Sequence, residues 1–507
     1  MGNRQAVPLS PVAIPAEQQD VAVFLRGLAG ADPIETHISA VFLGADTVWK
    51  MKKAVRLSFL DFTRLQDRRR FAERELALNG PYAPGMYHDV AAVTRRADGS
   101  IGFAEDPSQP VLDWVLRMAR VPVGDFMDVI AAEGRLTTPL LDGLADSVAA
   151  LHTALPPLPD RRSDMPAVVT GNARAAREAG LPPERVDLWE TGMLAALDAL
   201  ADWLAQRAAA GFIRRAHGDL HLGNLCMWSG RPVPFDALEF DEDLATIDLG
   251  YDLAFLLMDL DIRADRIAAN RVLSRYVGRT GDAALVRGLP PFLSSRALIR
   301  AHVAARSGQA ADAARYLDCA DAYLRPAAPM VVAVGGLPGT GKTTLARALA
   351  PPLGAAPGAL VLRSDEIRKR LCGAAPEERL PPSCYTPEVS ARVFATLAEL
   401  ATLAATSGHA VIADATFMDP THRAMIQAAA TTAGVPFVGF WLQAPLPALE
   451  ARVAARTGDA SDATVDVLRH AADHDPGAGD WTAIDATDAT QARDQTTGVL
   501  RPHVALT

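Results

Sequence analysis

"VVAVGGLPGTGKTTLARALA", residues 331–350, joins an apolar run, a glycine-rich turn and a helical pattern. The turn follows the order G-x-x-x-x-G-K-T through Gly336, Gly341, Lys342 and Thr343. Glycines at such a turn let successive backbone N–H groups point at phosphate oxygens, and the N-terminus of the next helix adds the positive end of its dipole. The stretch therefore predicts a strand, a phosphate-binding loop and a helix that starts near Lys342.

The loop also assigns roles to its own side chains. Lys342 is expected to reach the β and γ phosphates of ATP, and Thr343 is expected to ligate Mg²⁺. The predicted ATP-binding residues of this loop are Gly336, Gly339, Thr340, Gly341, Lys342, Thr343 and Thr344.

Beyond residue 330, apolar strand patterns alternate with helical ones: "MVVAVGG", "ALVLRSD", "HAVIADATF" and "VPFVGFWLQ". This alternation predicts a parallel sheet flanked by helices, an α/β P-loop NTPase domain over residues 330–507. Ligands of such folds bind at the carboxyl ends of the strands, where Asp365 and Asp414 fall. We expect Asp365 to accept or orient the acceptor hydroxyl and Asp414 to lie in the metal shell. The predicted substrate-binding residues nearby are Arg368, Thr416 and Arg423.

Arg452 and Arg456 lie one helical turn apart and are predicted to share a face. Guanidinium groups over a transferring phosphoryl group stabilise its charge, although a solvated arginine face is the alternative. The stretch from about 330 to 475 resembles the zeta-toxin, polynucleotide-kinase and gluconate-kinase-like group of P-loop kinases. That resemblance implies a lid in which Arg452 and Arg456 close over ATP, with Asp365 and Arg368 on the acceptor side.

A second signature, "AHGDLHLGNL", occupies residues 216–225, with Asp219 five positions before Asn224. Phosphoryl transfer to a hydroxyl needs an aspartate for the acceptor proton and further oxygen ligands for Mg²⁺. Asp219 fits the first role, and Asn224 and the later Asp236 fit the second. His217 and Gly218 are expected to shape the loop.

The pattern "HGDLHLGN…PVPFDALEF…DLGYDLAFL" resembles the aminoglycoside and choline phosphotransferase branch of protein-kinase-like enzymes. The resemblance implies that Asp219, Asn224 and Asp236 hold substrate and metal, and that Asp252 marks a structural helix start. His221 is interpreted as a loop or core histidine. The acidic run at residues 241–243 is interpreted as a solvated turn, the alternative being a site for a cationic group.

The N-terminal lobe is predicted from the strand-like runs "HISAVFL", "DTVWKMKK" and "DVAAVTRR" around the helical "TRLQDRRRFAERELALNG". Lys50 best fits the strand lysine that grips the α and β phosphates, with Lys52 on the same strand face as the alternative. Its carboxylate partner is expected from the helix, Glu75 in preference to Glu73. A G-x-G-x-x-G loop is absent from this lobe, and Gly44 marks its hairpin.

At 507 residues the chain is expected to form two or three domains. We predict an N-terminal lead (1–20), a bilobal α+β protein-kinase-like domain (21–324, small lobe to about 110, helical lobe after), a proline-containing linker (325–329) and the P-loop domain (330–507). From about 35 to 475 the chain resembles bacterial fusions of an aminoglycoside-phosphotransferase-like domain with an AAA-type P-loop kinase.

Composition narrows the possible functions. The net charge of −10 argues against nucleic acid as a partner, and the four cysteines show neither metal spacing nor a disulfide framework. Without a secretion signal or a run of about 18 apolar residues, we expect a cytoplasmic protein that does not enter membranes.

The prediction is thus a bifunctional ATP- and Mg²⁺-dependent kinase acting on hydroxyls of small metabolites, such as sugars or aminocyclitols. The alternative is a P-loop half that phosphorylates polynucleotide 5′-hydroxyls or nucleotides, joined to a binding or regulatory pseudokinase.

Overall fold

The computed structural model describes residues 13–57, 60–104, 109–456 and 460–501. The chain divides into two compact units. The first comprises Met1–Asp259 and Leu293–Asp321, and the second comprises Leu260–Phe292 and Ala322–Thr507.

A six-stranded antiparallel sheet forms the N-terminal lobe of the first unit, in the order β1-β2-β3-β8-β6-β7. Its strands and the neighbouring hairpin are β1 (Ile34–Glu35), β2 (Ser39–Leu43), β3 (Thr47–Lys52), β4 (Arg56–Leu57), β5 (Leu60–Asp61), β6 (Tyr87–Arg95), β7 (Ile101–Phe103) and β8 (Val111–Ala119). Helices α1 (Gln19–Ala29) and α2 (Leu65–Asn79) pack against this sheet. Val21, Leu25, Phe42 and Met51 are buried together in its core.

The predicted strands at "HISAVFL", "DTVWKMKK" and "DVAAVTRR" correspond to β2, β3 and β6, and the charged helix is α2. The small lobe extends further than residue 110, because β8 runs through Ala119 and pairs with both β3 and β6. The prediction of mostly helix after 110 missed this strand. Its sequence, "VLDWVLRMA", has buried residues in the middle and is apolar enough to be read as a helix.

The helical lobe follows β8. Its helices are α3 (Met127–Ala132), α4 (Thr138–Ala154), α5 (Met165–Glu178), α6 (Pro183–Ala199), α7 (Ala201–Ala209), α8 (Glu242–Ala245), α9 (Leu249–Arg263), α11 (Leu289–Arg306) and α12 (Ala310–Tyr323). Between α9 and α11 the chain forms α10 (Arg266–Thr280), which belongs to the second unit. Two small antiparallel sheets carry the loops between the helices of the lobe: β9 (Ile213–Arg215) pairs with β12 (Thr246–Asp248), and β10 (Leu225–Trp228) pairs with β11 (Arg231–Pro234). The loop between β9 and β10 carries the His-Gly-Asp sequence.

The second unit is built on a five-stranded parallel sheet in the order β14-β15-β13-β16-β17. Its strands are β13 (Val331–Gly336), β14 (Leu360–Arg363), β15 (Val411–Asp414), β16 (Phe437–Gln443) and β17 (Thr482–Asp485). Its remaining helices are α13 (Lys342–Leu349), α14 (Ser364–Leu371), α15 (Pro387–Thr406), α16 (Pro420–Ala433), α17 (Leu446–Ala454), α18 (Val465–Ala472) and α19 (Ala489–Leu500). The central strands are buried throughout, as strands covered on both faces must be.

Short 3₁₀ helices occur at Ala16–Gln18, Val123–Asp125, Leu222–Asn224, Ala283–Gly288 and Pro382–Tyr385. Helix α10 precedes the expected linker in sequence yet belongs to the second unit. There Asn270 Nδ2 donates to the carbonyl oxygen of Ala359 at 2.9 Å, at the start of β14.

Among the described residues, one helix, Pro387–Thr406, has the length and composition of a membrane span. In the structure this helix, α15, packs against α16 and β15 and buries Val393, Leu397 and Ala401. Its apolar face therefore belongs to the core of the second unit.

Candidate active sites

In the first unit, Lys50 on β3 joins two carboxylates. Its Nζ lies 2.7 Å from Glu75 Oε1 on α2 and 2.6 Å from Asp236 Oδ1 after β11. Burial is the largest effect on the pKa of Lys50 and lowers it, but Asp236 and Glu75 outweigh burial and hold the pKa well above its ordinary value. Lys50 is therefore a fixed positive charge at physiological pH.

Lys52, two residues along the same strand, contacts a different pair. Its Nζ lies 2.9 Å from Glu75 Oε2 and also bonds Glu239. The side chain of Lys52 is only 2% exposed, whereas that of Lys50 is 15% exposed and lines a cavity. The other helix carboxylate, Glu73, pairs with Arg69 on the surface. Lys50 therefore faces the cavity whereas Lys52 is buried, and Glu75 rather than Glu73 is the carboxylate that pairs with both lysines.

Asp252 at the start of α9 holds the loop that carries the His-Gly-Asp sequence. Its carboxylate accepts the backbone N–H of His217 at 3.0 Å and that of Gly218 at 2.9 Å, and it lies 3.1 Å from His152 Nε2. Gly218 has a φ of +84°, a conformation that disfavours a side chain. His217 is buried and bonds the Phe235 carbonyl through Nε2. These residues shape the loop without facing the cavity.

Asp219 lines the cavity, and its two carboxylate oxygens differ. Asn224 Nδ2 donates to Oδ2 at 2.9 Å, and His221 Nε2 lies 3.5 Å from the same oxygen. The His221 Nδ1 accepts the Gly223 N–H at 3.0 Å, so the neutral ring carries its proton on Nε2, towards Asp219. Within the described residues, no hydrogen bond reaches Oδ1, so the side-chain contacts of this carboxylate are made through Oδ2.

The protonation state of Asp219 suits a proton acceptor. Burial is the largest effect on the pKa of Asp219 and raises it, but the hydrogen bond from His221 and the positive charge of Arg296 help to hold it well below its ordinary value. Arg296 on α11 stacks 3.8 Å from the Tyr251 ring centroid and donates to the Gly218 carbonyl at 3.4 Å. Asp219 is thus ionised near neutral pH.

These side chains open into a cavity of about 1080 Å³. Lys50, Asp219, Asp236 and Glu239 line it together with apolar residues of β2, β3, β8 and the segment after β8. Asp236 has a φ of +58°, which turns its side chain towards Lys50. Asn224 is hydrogen-bonded to the Asp219 carboxylate but is not among the residues that line the cavity, so of the three predicted metal and proton groups Asp219 and Asp236 face it.

The three acidic side chains at residues 241–243 all have partners within the protein. Asp241 Oδ1 accepts the N–H groups of Asp243 and Leu244 and so caps α8. Glu242 pairs with Arg74 and Arg215, and Asp243 pairs with Arg161 at 2.7 Å. This geometry agrees with the interpretation of the run as a solvated turn, since the side chains of Glu242 and Asp243 are exposed.

In the second unit, the glycine-rich loop has the geometry of a phosphate cradle. Gly336, Gly339 and Gly341 have φ values of +136°, +86° and +87°. A Cβ at Gly336 would lie 2.5 Å from the Leu442 carbonyl oxygen, and one at Gly339 would lie 2.9 Å from the Leu449 carbonyl oxygen. The backbone therefore follows a path that side chains at these positions would block.

Lys342, the first residue of α13, folds back over the loop. Its Nζ donates to the carbonyl oxygens of Gly336 at 3.0 Å and Leu337 at 2.9 Å. Burial lowers the pKa of Lys342, and the carboxylates of Asp414 and Asp365 act in the opposite direction. The ammonium lies where phosphate oxygens are expected to replace the two carbonyls.

Thr343 and Asp414 form the predicted metal pair. Thr343 Oγ1 donates to Asp414 Oδ2 at 2.5 Å, and Arg363 Nε lies 3.3 Å from the same oxygen. Asp414 ends β15, beside the loop that follows β13. A hydroxyl and a carboxylate side by side are the protein ligands that Mg²⁺ uses when phosphates complete its shell.

Asp365, at the start of α14, faces the same cavity of about 770 Å³. Burial raises the pKa of Asp365, Asp414 adds to the rise, and Arg363 opposes it. Ser461 hydrogen-bonds the Asp365 carboxylate. A carboxyl group with a raised pKa beside a phosphate loop is suited to accept a hydroxyl proton.

Arg368 and Tyr385 form the far wall of this cavity. Arg368 Nη1 donates to the Cys384 carbonyl at 2.8 Å, and its guanidinium lies 5.0 Å from the Tyr385 ring centroid. Tyr385 OH donates to Asp462 Oδ2 at 2.5 Å, and Lys369 Nζ lies 2.7 Å from that oxygen. The segment around Asp462 is thereby fastened to α14.

Arg452 and Arg456 both line the cavity, although α17 ends at Ala454, before Arg456. Arg452 donates to the Ala486 carbonyl at 2.9 Å and the Thr487 carbonyl at 2.8 Å. It also borders a smaller neighbouring cavity of about 400 Å³, which Thr340 and Thr344 line. Arg452 thus stands between the phosphate loop and a second recess.

Thr416 lines the cavity, but Arg423 does not. Arg423 donates to the carbonyl oxygens of Phe417 at 2.9 Å, Ala478 at 2.9 Å and Gly477 at 2.7 Å, and stacks over the Trp441 ring. Its three-fold bonding to the backbone holds the loop before β17. The prediction that Arg423 binds substrate therefore has no support from its position.

Four residues at these sites were not singled out from the sequence, or were given another role: His221, Glu239, Tyr385 and Asp462. Glu239 stands three residues after Asp236, and that spacing was the available signal. Tyr385 and Asp462 lie 77 positions apart, so only folding shows that they meet.

The residues present fit ATP and Mg²⁺. The glycine loop has room for phosphates, and each cavity brings a lysine together with oxygen ligands. Within the described ranges, no cluster of three or more His, Cys, Asp and Glu side chains could hold a metal ion without help. Because Mg²⁺ is usually held by one or two carboxylates plus phosphate oxygens, this smaller ligand set suits it.

These folds are those of an N-terminal bilobal, protein-kinase-like domain and a C-terminal P-loop domain. The AAA domain family matches residues 331–474. The chain is 30% identical over 487 residues to "Uncharacterized protein Rv2004c" of Mycobacterium tuberculosis, covering 92% of this chain and 94% of that protein. The chain belongs to the family of that protein.

Solved structures similar to each half have also been found. A choline/ethanolamine kinase family protein of Mesorhizobium loti covers 60% of this chain and 99% of its own, with 16% identity and a TM-score of 0.36. A gluconokinase of Sinorhizobium meliloti covers 35% of this chain and 95% of its own, with 21% identity and a TM-score of 0.25.

Proposed function

We propose that the protein is a bifunctional kinase, with one ATP- and Mg²⁺-dependent active site in each domain and small-molecule hydroxyls as acceptors. One observation carries the proposal: each unit brings a lysine, a candidate proton acceptor and at least one metal-type carboxylate to the wall of a single cavity. A cytoplasmic location and small metabolites as the only partners belong to the same proposal.

At the N-terminal site, Lys50 is held by Glu75 so that its ammonium can bind the α and β phosphates. Asn224 and Asp236 would hold Mg²⁺, which supplies neutralisation of the phosphate charge when bound. Asp219 Oδ1 accepts the proton of the acceptor hydroxyl as the oxygen attacks the γ phosphorus. The bond from that phosphorus to the β–γ bridging oxygen breaks, and ADP leaves.

At the C-terminal site, the loop N–H groups and Lys342 bind the β and γ phosphates, and Thr343 and Asp414 would hold the metal. Asp365 orients the acceptor hydroxyl and takes its proton. Arg452 and Arg456, on the same wall, stabilise charge on the transferring phosphoryl group.

A second candidate, a regulatory N-terminal half without turnover, is favoured by one observation. In the turn between β1 and β2, Thr36 Oγ1 accepts the N–H of Ser39 at 3.0 Å and that of Ile38 at 3.4 Å. This turn lines the cavity, so donors that a glycine loop would offer to phosphates are already occupied.

Calorimetric titration with ATP and Mg²⁺ tests the proposal. The full chain should bind two nucleotide equivalents, and Lys342→Ala and Lys50→Met should each reduce the number to one. Product formation from a panel of sugars, aminocyclitols, nucleosides and 5′-hydroxyl oligonucleotides is then followed by mass. If the Asp219→Asn variant retains every activity of the parent, the regulatory candidate replaces the bifunctional one.

A further inference from the structure

We infer that the acceptor of the N-terminal site is an alcohol whose non-reacting part is apolar and which carries no cationic group. The inference rests on the proposed function of this site and names its substrate class. It follows from three features of the cavity: the helix that leads from Asp219, the side chains at the mouth, and the pairing of every carboxylate nearby.

Helix α11 forms the wall that leads outward from Asp219. Arg296 on this helix donates to the carbonyl of Gly218, the residue before Asp219, at 3.4 Å. Val303, two helical turns later on the same face, lines the cavity, as does Arg306. An acceptor that reaches Asp219 therefore passes along this face of α11.

The mouth of the cavity is unusually apolar for a protein surface. Ile34 on β1, Val123 after β8 and Val303 on α11 line it, and they are 57%, 65% and 44% exposed. Three large aliphatic side chains from separate elements thus converge in solvent at one opening. Exposed apolar groups that cluster at a concave site mark a surface that a ligand covers.

The basic side chains of the wall are also satisfied without a ligand. Arg306 Nη2 lies 3.4 Å from Glu178 Oε2 and donates to the Ala175 carbonyl at 3.3 Å. Arg120 donates to the Gly44 carbonyl. The apolar surface continues inward through Ile38 and Phe240. Recognition along this path therefore depends on apolar contact more than on charge.

Among the described residues that line the cavity, each carboxylate already has a partner in the protein. Asp236 is paired with Lys50 and Glu239 with Lys52, while Asp219 is bonded by Asn224 and must accept the hydroxyl. The acidic run at residues 241–243 is paired with arginines or caps a helix, as described above. A cationic acceptor would lose hydration here without gaining a partner, which is costly in an apolar cavity.

Two alcohols of the same shape test the inference: choline and 3,3-dimethylbutan-1-ol. They differ at one atom, which is a positively charged nitrogen in choline and a neutral carbon in the other. Both are offered to the full chain carrying Lys342→Ala, together with size-matched sets of other cationic and neutral apolar alcohols. Phosphorylated products are measured by mass. The kcat/KM for the neutral member should exceed that for its cationic match by more than about tenfold.

A designed change of charge provides the matched control. Val303→Asp places a carboxylate on the path to Asp219 and should move the preference at least about fivefold towards choline. Val23→Asp makes the same change at an exposed valine on α1, outside the cavity, and should leave the ratio unaltered. An equal shift in both variants would contradict the assignment of α11 as the acceptor wall.

The outcomes separate this inference from the proposed function. Asp219-dependent phosphorylation of cationic alcohols, at rates equal to or above those of the neutral ones, overturns the apolar class and leaves the kinase proposal intact. Product from cationic alcohols but from no neutral one also overturns the apolar class, whereas ATP binding with no product from any alcohol overturns the proposed function in favour of the regulatory candidate. Loss of nucleotide binding to the Lys342→Ala chain overturns the proposed function itself.

Discussion

Asn224 Nδ2 lies 2.9 Å from Asp219 Oδ2, so the asparagine engages one oxygen of the carboxylate and leaves the other to the cavity. Because Asn224 follows Asp219 by five residues and reaches only one of its oxygens, the two oxygens of the Asp219 carboxylate have different surroundings. Oδ2 is fixed by Asn224 and His221, while Oδ1 can accept a proton.

Asp219→Asn should lower turnover at the N-terminal site by a factor of about 10² to 10⁴, the usual contribution of a general base. The amide keeps the shape of the side chain but loses the acceptor function. The measurement is ATP-dependent product formation in the Lys342→Ala background. Asp243→Asn changes an exposed carboxylate of the α8 turn and should have no effect; equal losses in both variants would remove Asp219 from its role.

Lys50→Met should reduce activity, whereas Lys52→Met should reduce stability. Lys50 lines the cavity, so its loss should reduce turnover about a hundredfold, as removal of one phosphate-stabilising donor does elsewhere. Lys52 is buried between Glu75 and Glu239, so Lys52→Met should cost about 3 kcal/mol of unfolding free energy by leaving buried charge unpaired. Urea denaturation and steady-state kinetics distinguish the two, and a reversed pattern would make Lys52 the nucleotide ligand.

The C-terminal site should show a pH dependence set by Asp365. Burial raises the pKa of this carboxyl, so the rising limb of its kcat/KM profile should lie above the ordinary aspartate value near 4. Asp365→Asn should abolish turnover and this limb together. A profile in which the limb survives the substitution would assign it to another group.

The same substitution should stabilise the fold at neutral pH. A carboxyl group whose folded-state pKa is raised contributes stability below its unfolded pKa, and that stability is lost as pH rises through the folded pKa. Asp365→Asn removes this loss, so the unfolding free energy of the variant should exceed that of the parent at pH 7 and converge with it at low pH. Denaturant titrations across that range provide the check; a variant less stable than the parent at pH 7 contradicts it.

Arg423→Met should affect stability and leave the acceptor KM unchanged. The guanidinium donates to three backbone carbonyls, and their loss should cost about 2 kcal/mol of unfolding free energy. Arg469→Met, on the surface of α18, is the matched control and should be nearly neutral. A raised KM in a stable Arg423→Met protein would restore the substrate-binding role predicted from the sequence.

Residues close in sequence were the most predictable parts of both sites. The order of Gly336, Gly341 and Lys342 predicted the phosphate loop, because a short backbone path fixes where its N–H groups point. The strand position of Lys50 and the helix position of Glu75 also predicted their pairing, since both elements have regular periods. β8 was missed because an apolar run of nine residues does not distinguish strand from helix.

Contacts between distant segments were not predictable. Arg423 was predicted to bind substrate from its place after β15, yet two of the three carbonyls that it bonds lie on the loop before β17, about fifty residues away. The acidic run at residues 241–243 was interpreted as a solvated turn, but the arginines that pair with Glu242 and Asp243 were not identified from the sequence. The charge of a residue in the sequence does not show whether another residue of the same chain neutralises it in the folded protein.

The sequence by itself determined the two phosphate-handling motifs, the two fold classes and several of the charged residues that face each cavity, because these follow from local spacing and periodicity. Tertiary structure alone decided which oxygen of Asp219 remains available, which lysine reaches the cavity, and how apolar the mouth beside α11 is. Those properties depend on side chains that meet across long stretches of chain, where packing rather than spacing sets the distance between them.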